Sequence, residues 1–319
     1  MKNRIPSFVL VALLVTVSHA YAEYPEKPVR LVVAFPGGTV PDVMARVYAE
    51  KIKELWHGQP LLVEPRPGAT GTVGAELVAR APADGYTLLL NSSGLMISPW
   101  LLKTRFDVFK DLVPLIRTAY TPYLILTSGK LPIKTFDEFI DYAKKHPGQL
   151  SCATYGIGSP PHIALELLNR EAGVNILHVP YSTTNSLPDT VAGTVDCSIA
   201  PPLGQDQYVK SGQVRAIAHT GNAPIALYPD AVPIGKIYPA ATVLGWQAIY
   251  APASTPKPIV EKLRSDWSKV LADPIVVQRI RDVGFEPMKD SSIDDATRSM
   301  RDEYEKFGDL VKSRGIKVQ

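Results

Sequence analysis

The chain has 319 residues, a formal net charge of +3, 45% hydrophobic content and only two cysteines. That length allows about two domains with well-packed cores. The near balance of charge gives no global electrostatic reason to hold nucleic acid or anionic lipid, and a chain this long does not need a disulfide scaffold.

The N-terminus has a basic start at Lys2 and Arg4, a short apolar run from Phe8 to Val17, and His19-Ala20-Tyr21-Ala22 ending in an A-x-A pattern. This three-part layout predicts a secretory signal peptide over residues 1–22, cleaved after Ala22. Its apolar core is too short to span a bilayer, which takes roughly 20 residues. No Cys follows the cleavage site, which argues against a lipid anchor. Without that segment, which holds two of the 34 basic residues, the chain is nearly neutral.

Short apolar strands then alternate with amphipathic helices, which predicts an α/β fold with mainly parallel sheets. Val29 to Phe35 reads as the first strand, broken by Pro36-Gly37-Gly38-Thr39. A helix follows with Met44, Val47, Tyr48 and Leu55 on its apolar face. Leu61 to Val63, a helix around Ala75 to Ala79, and Tyr86 to Leu90 complete a first block. The second block opens at Tyr123 to Thr127, and Thr135-Phe136-Asp137-Glu138 is a capping box for its first helix. Further strands are predicted at Leu150 to Thr154, Ile176 to Val179, Val195 to Ala200 and Val214 to His219, with Ser159 capping a helix that carries Pro160 at its first position. The C-terminal part reads as helical. Thr255-Pro256, Asp273-Pro274 and Ser292 start three helices, and Gly284 ends the second.

Cys152 and Cys197 both fall in strand-like segments. Export permits a bond, but its geometry is strict, and the reading is two separate buried small residues.

The candidate binding residues share one placement, the loop after a strand. In open α/β sheets ligands sit beyond the carboxyl ends of strands. After the first strand, Phe35, Gly38, Thr39 and Val40 lead into a helix whose unpaired N–H groups suit an anion. Asp42, in that helix's first turn, reads as a residue that holds the loop through backbone donors. Ser92 and Ser93 follow the third strand. In the second block Thr154, Tyr155, Gly158, Ser159 and His162 take the equivalent place, and Tyr181 and Ser182 follow the next strand. Hydroxyls there suit a carboxylate, although Ser, Thr and Gly are also what turns use. The glycine run Gly68 to Gly74 is spaced G-x-x-G-x-x-G and follows the second strand, so it does not read as a dinucleotide loop. No nucleophile elbow or H-E-x-x-H occurs and the six histidines show no metal-ligand spacing, so no catalytic residue, metal or cofactor is expected.

Several motifs together resemble the Bug-type proteins, the extracytoplasmic substrate-binding subunits of tripartite tricarboxylate transporters. They are Tyr24-Pro25 with Lys27-Pro28-Val29-Arg30, Phe35-Pro36-Gly37-Gly38 with Asp42 and Ala45-Arg46, Glu64-Pro65-Arg66-Pro67-Gly68-Ala69 through Gly74-Ala75, and Asp84-Gly85-Tyr86-Thr87-Leu88. Ser159-Pro160-Pro161-His162, His178-Val179-Pro180-Tyr181, Ala192-Gly193-Thr194-Val195-Asp196 and Leu271-Ala272-Asp273-Pro274 continue the match. The resemblance implies a two-domain periplasmic-binding-protein type II-like fold, with an interdomain ligand cleft and two hinge crossings. The domains would be residues 23–122 plus 230–319, and 123–229. It also implies a periplasmic monomer that captures a small carboxylated ligand and delivers it to two membrane subunits. A sensor role for a two-component system and a periplasmic hydrolase are the alternatives. Pro41, Tyr155 with Ile157, and Ser182-Thr183-Thr184-Asn185 depart from the family pattern. Tyr155 and Ile157 would bring apolar surface to the cleft, favouring an aromatic or longer aliphatic carboxylate over citrate.

Overall fold

The structure is a computed structural model, and it describes residues 24–181, 186–289 and 291–317. The expected signal peptide lies outside the described residues, as does Ser182. No described helix is long and apolar enough to cross a membrane.

The first part of the chain runs β1 (Val29–Val33), α1 (Val40–Leu55), β2 (Leu61–Pro65), α2 (Thr72–Ala79), β3 (Thr87–Ser92), then the one-turn helices α3 (Ser98–Leu101) and α4 (Val108–Asp111). Two adjoining strands follow, β4 (Leu112–Pro122) and β5 (Leu124–Ser128). Then come α5 (Phe136–Lys145), β6 (Ser151–Thr154), α6 (Pro160–Ala172), β7 (Leu177–Pro180), α7 (Leu187–Ala192), β8 (Cys197–Ala200), α8 (Asp206–Lys210) and β9 (Val214–His219). The chain closes with β10 (Val232–Pro233), β11 (Leu244–Pro252), α9 (Lys257–Ala272), α10 (Pro274–Asp282), β12 (Glu286–Pro287) and α11 (Ile293–Arg314).

Among the described residues these strands form two six-stranded sheets, ordered β12-β4-β11-β3-β1-β2 and β10-β9-β5-β8-β6-β7. Each has a parallel half, β2-β1-β3 in one and β7-β6-β8 in the other. The other half is largely antiparallel, because β11 runs against β3 and β4, and β5 runs against β8 and β9. The expectation of mainly parallel sheets is corrected on this point. The two longest strands, β4 and β11, went unpredicted, and they are the antiparallel pair through which the chain passes between sheets.

Helix starts follow their local chemistry. Thr135 and Glu138 form the reciprocal capping box, Ser159 accepts from the His162 N–H, and Asp273 accepts from Ile275 and Val276. Thr255 is different: its hydroxyl donates to the Pro252 carbonyl, and the helix begins after Pro256. One apolar cluster packs α1, α9 and α10 on the first sheet, burying Tyr48, Trp56 and Trp267. A second runs from the other face of that sheet into α5 and α6 of the second.

Cys152 and Cys197 are bonded, which corrects the reading of two separate residues. They sit directly opposite each other on β6 and β8, with Cα atoms 4.5 Å apart. That adjacency depends on strand register, which the cysteine spacing does not reveal.

Candidate functional site

The predicted binding residues lie at the carboxyl ends of β1, β3, β6 and β7, two strands from each sheet. After β1 the loop is wound tightly. The Thr39 hydroxyl donates to the Pro36 carbonyl at 2.7 Å, and the Asp42 carboxylate accepts from the Gly38 N–H at 2.9 Å. Arg46 donates to both oxygens of Asp42, at 3.2 and 3.1 Å. Burial pushes the Asp42 pKa up, but the Gly38 N–H and Arg46 outweigh it, leaving the carboxyl below its ordinary value. Asp42 therefore holds the loop, and it is 3% exposed. Gly38 has φ +80°, a left-handed conformation that favours glycine, and faces open space. Pro41 has no N–H, so the start of α1 presents those of Val40 and Asp42. Phe35 packs against both main clusters.

After β3, Ser92 accepts from the Gly94 N–H at 3.3 Å and is committed to its own turn. The Ser93 hydroxyl is 1% exposed and makes no hydrogen bond of normal geometry. Behind both, Asn91 donates to the Gly71 carbonyl at 3.0 Å and accepts from the Ser92 N–H at 2.8 Å, which stitches the glycine-rich loop to this strand end. A Cβ on Gly71 would lie 2.6 Å from the Asn91 oxygen, so that glycine serves close packing.

In the second sheet the loop after β6 is equally self-satisfied. Gly158 N–H donates to His162 Nδ1 at 3.0 Å, and Ser159 Oγ donates to the Gly156 carbonyl at 2.8 Å. The Thr154 hydroxyl lies 2.7 Å from His178 Nε2. The His162 and His178 rings stack with centroids 3.8 Å apart. Burial lowers the pKa of His162 to about 3 and of His178 to about 4, so both are neutral at pH 7. The Tyr181 hydroxyl turns to Asp189 at 2.6 Å.

Some of these residues meet across the two sheets. A Cβ on Gly158 would lie 2.1 Å from Leu101 Cδ1 and 3.9 Å from Ile97 Cγ2, both in the segment after Ser93. The Tyr155 ring packs edge-on against Tyr123, with centroids 6.2 Å apart. Phe35, Gly38, Thr39 and Val40 form a separate group around α1, and Tyr181 is tied to α7. Sequence reasoning missed Tyr123, which lies between β4 and β5, and Thr220, whose hydroxyl accepts from the Tyr123 N–H at 2.9 Å and donates to the Val243 carbonyl at 2.6 Å. Nothing in an isolated Tyr or Thr at a strand end marks such a role. A pocket of about 340 Å³ lined by Pro99, Phe106, Phe109, Arg301 and Tyr304 contains none of the predicted binding residues. Among the described residues no group of His, Cys, Asp or Glu could hold a metal.

Residues 44–316 match the family model of the tripartite tricarboxylate transporter family receptor. A protein from the tcbD–tcbE intergenic region of Pseudomonas sp. is 33% identical over 283 residues, covering 86% of this chain and 84% of that one. BugT of Bordetella pertussis is 30% identical over 305 residues, covering 93% and 92%. Among solved structures, the periplasmic binding protein BugD is 31% identical with a TM-score of 0.75, covering 93% of this chain and all of that one (100%). An R. palustris protein solved with adipate is 28% identical with a TM-score of 0.77, covering 92% and 99%. MatC from Rhodopseudomonas palustris, solved with bound malate, is 29% identical with a TM-score of 0.73, covering 90% and 100%.

Proposed function

Since the chain belongs to the tripartite tricarboxylate transporter receptor family, whose members are periplasmic solute-binding proteins and not enzymes, we propose that it captures a small carboxylate between two lobes and hands it to the transporter's membrane subunits. The lobes would be residues 23–122 plus 230–319, and 123–229, with one crossing at Pro122-Tyr123. Because β10 pairs with β9 of the second sheet, the return crossing would fall after β10 rather than at 229/230, which assigns residues 230–233 to the second lobe.

The observation that carries this reading is that the loop after β6 of one sheet meets helix α3, which follows β3 of the other, Gly158 against Leu101. The carboxylate would meet the start of α1, where backbone N–H groups and the helix dipole favour an anion. The Ser93 hydroxyl would complete its bonding, and each bond to a charged group contributes about 1.5–3 kcal/mol. A few such bonds with apolar burial reach the roughly −8 kcal/mol of a micromolar complex. Adipate and malate in the two R. palustris relatives support a carboxylate as the class.

The test is a thermal-shift screen of residues 23–319 against dicarboxylates, citrate, amino acids and aromatic acids. Ligand at 100 times its dissociation constant stabilises the fold by about 2.7 kcal/mol, a visible shift. A shift with one acid class and none with its amide supports the reading. No shift with any acid, and no acid released on denaturing the purified protein, overturns it.

A further inference from the structure

We propose that Tyr123 and Tyr155, with the buried Ser93 hydroxyl, form the specificity-determining wall of the cleft, and that this wall selects a carboxylate with an aromatic body. The inference rests on the carboxylate-capture reading and names the substrate class of that same site.

Four observations meet at Tyr123. Its backbone is pinned on both sides, because its N–H donates to the Thr220 hydroxyl at 2.9 Å and its carbonyl accepts from the Thr220 N–H at 2.9 Å. Thr220 also grips the return crossing, donating from its hydroxyl to the Val243 carbonyl and accepting from the Val243 N–H at 3.0 Å. One fully buried threonine thus ties both crossings together and fixes where the Tyr123 ring stands. That ring packs edge-on against Tyr155, which arrives from the loop after β6. The Tyr123 hydroxyl lies over Gly245, where a Cβ would come within 2.3 Å of it. The glycine is what lets the phenol reach in.

Ser93 supplies the polar element. Burial pushes the Tyr123 phenol up to about 12, and hydrogen bonding with Tyr155, then with Ser93, offsets part of that, so the Ser93 hydroxyl lies beside this phenol. Yet it has no hydrogen bond of normal geometry, although it is buried. A buried hydroxyl this poorly paired is costly to keep, and a ligand atom that bonds it well recovers that cost. The phenols are neutral at pH 7, since burial also holds Tyr155 well above its ordinary pKa. The wall therefore offers two ring surfaces and neutral hydroxyls and no cation. An edge-to-face pair of rings accepts a third ring with favourable quadrupole geometry, whereas a compact hydroxy-dicarboxylate leaves those surfaces unfilled.

Dissociation constants of benzoate, adipate and malate are measured by calorimetry for the wild type and for Tyr155→Ser, Tyr155→Phe, Tyr123→Leu and Ser93→Ala. The wild type is expected to prefer benzoate to malate. Tyr155→Ser and Tyr123→Leu are expected to cut that preference tenfold or more, within the roughly 10–200-fold range that apolar pocket changes produce. Tyr155→Phe should retain the preference, and Ser93→Ala should weaken benzoate about tenfold. A ratio of affinities is insensitive to loss of folded protein, so a merely structural role leaves it unmoved. Unchanged preference in both Tyr155→Ser and Tyr123→Leu, or a wild type that prefers malate, overturns the inference while leaving carboxylate capture intact. Failure of every acid to bind the wild type is instead failure of the underlying reading.

Discussion

Replacing Gly158 by alanine tests whether the loops of the two sheets meet as described. Two costs add at this position. The residue has φ +75°, which an L side chain tolerates at about 1–2 kcal/mol. Its Cβ would also lie 2.1 Å from Leu101 Cδ1, which something must relieve. Leu101 is half-buried and its methyl is the flexible end of a side chain, so rotation relieves the contact at about 0.5–1.5 kcal/mol. The expected destabilisation is therefore about 2–3 kcal/mol, read from urea unfolding of Gly158→Ala. Leu101→Ala removes the clash but not the backbone term. The double variant should show a coupling of about 1 kcal/mol in the direction of rescue, with the remainder persisting. Additive single effects would refute the contact between the loops, and an unperturbed Gly158→Ala would refute the backbone conformation as well.

Acid sensitivity follows from the buried histidines. An unfolded histidine titrates near 6.5, whereas burial holds His162 at about 3 and His219 at about 4. Below pH 6.5 the unfolded chain therefore binds protons that the native state does not. Stability should fall with pH between about 6.5 and 4, by roughly 2 kcal/mol per histidine at pH 5. Urea midpoints at pH 7 and 5 measure this, and His162→Gln should flatten the dependence; a protein more stable at pH 5 would contradict it. For Asp42, whose folded pKa is depressed, the sign is again stability present above the unfolded value near 3.9 and lost as pH falls through the folded one. Asp42→Asn should cost about 1 kcal/mol at pH 7 and little near pH 2, and equal cost at both would show that charge is irrelevant to the loop. Removing the disulfide as Cys152→Ala with Cys197→Ala opens a closed loop with a sequence separation of 45 residues, worth about 4 kcal/mol by chain entropy. A variant as stable as the parent in calorimetry would show that the bond does not constrain the unfolded chain.

The α/β alternation was legible because each signal is local. The apolar face of α1, the capping box at Thr135 and the Asp273-Pro274 helix start depend on residues within one or two turns. What escaped was set by partners far along the chain. Strand β4 carries Pro114, Arg117 and Pro122, and β11 carries Gly245 and Gln247, so neither shows the clean alternation of a half-buried strand. They are strands because each pairs with the other over nine residues of β11. The same applies to the site. The strand-end loops could be placed from sequence, whereas the grip of Thr220 on Tyr123 and Val243 spans 97 and 23 residues and has no local signature.

The two sheets bring unequal chemistry to the proposed cleft, and the inequality would set how a ligand lies in it. The start of α6 looks like an anion site, being a helix N-terminus in a glycine-rich loop, but its donors are spent. Pro160 and Pro161 have no N–H, Gly158 N–H goes to His162, Ser159 N–H to the Gly156 carbonyl, and His162 N–H to Ser159. His162 accepts at Nδ1 and is neutral, so it adds no positive charge. The second sheet is left with rings and hydroxyls to offer. The first has the start of α1, where Asp42 takes the Gly38 N–H, the Pro36 carbonyl takes the Thr39 N–H and Pro41 has none, which leaves the N–H groups of Val40 and Asp42. On the proposed reading a carboxylate would orient its charged end toward α1 and its apolar body toward Tyr155, because the reverse pose would bury the charge where no backbone donor remains.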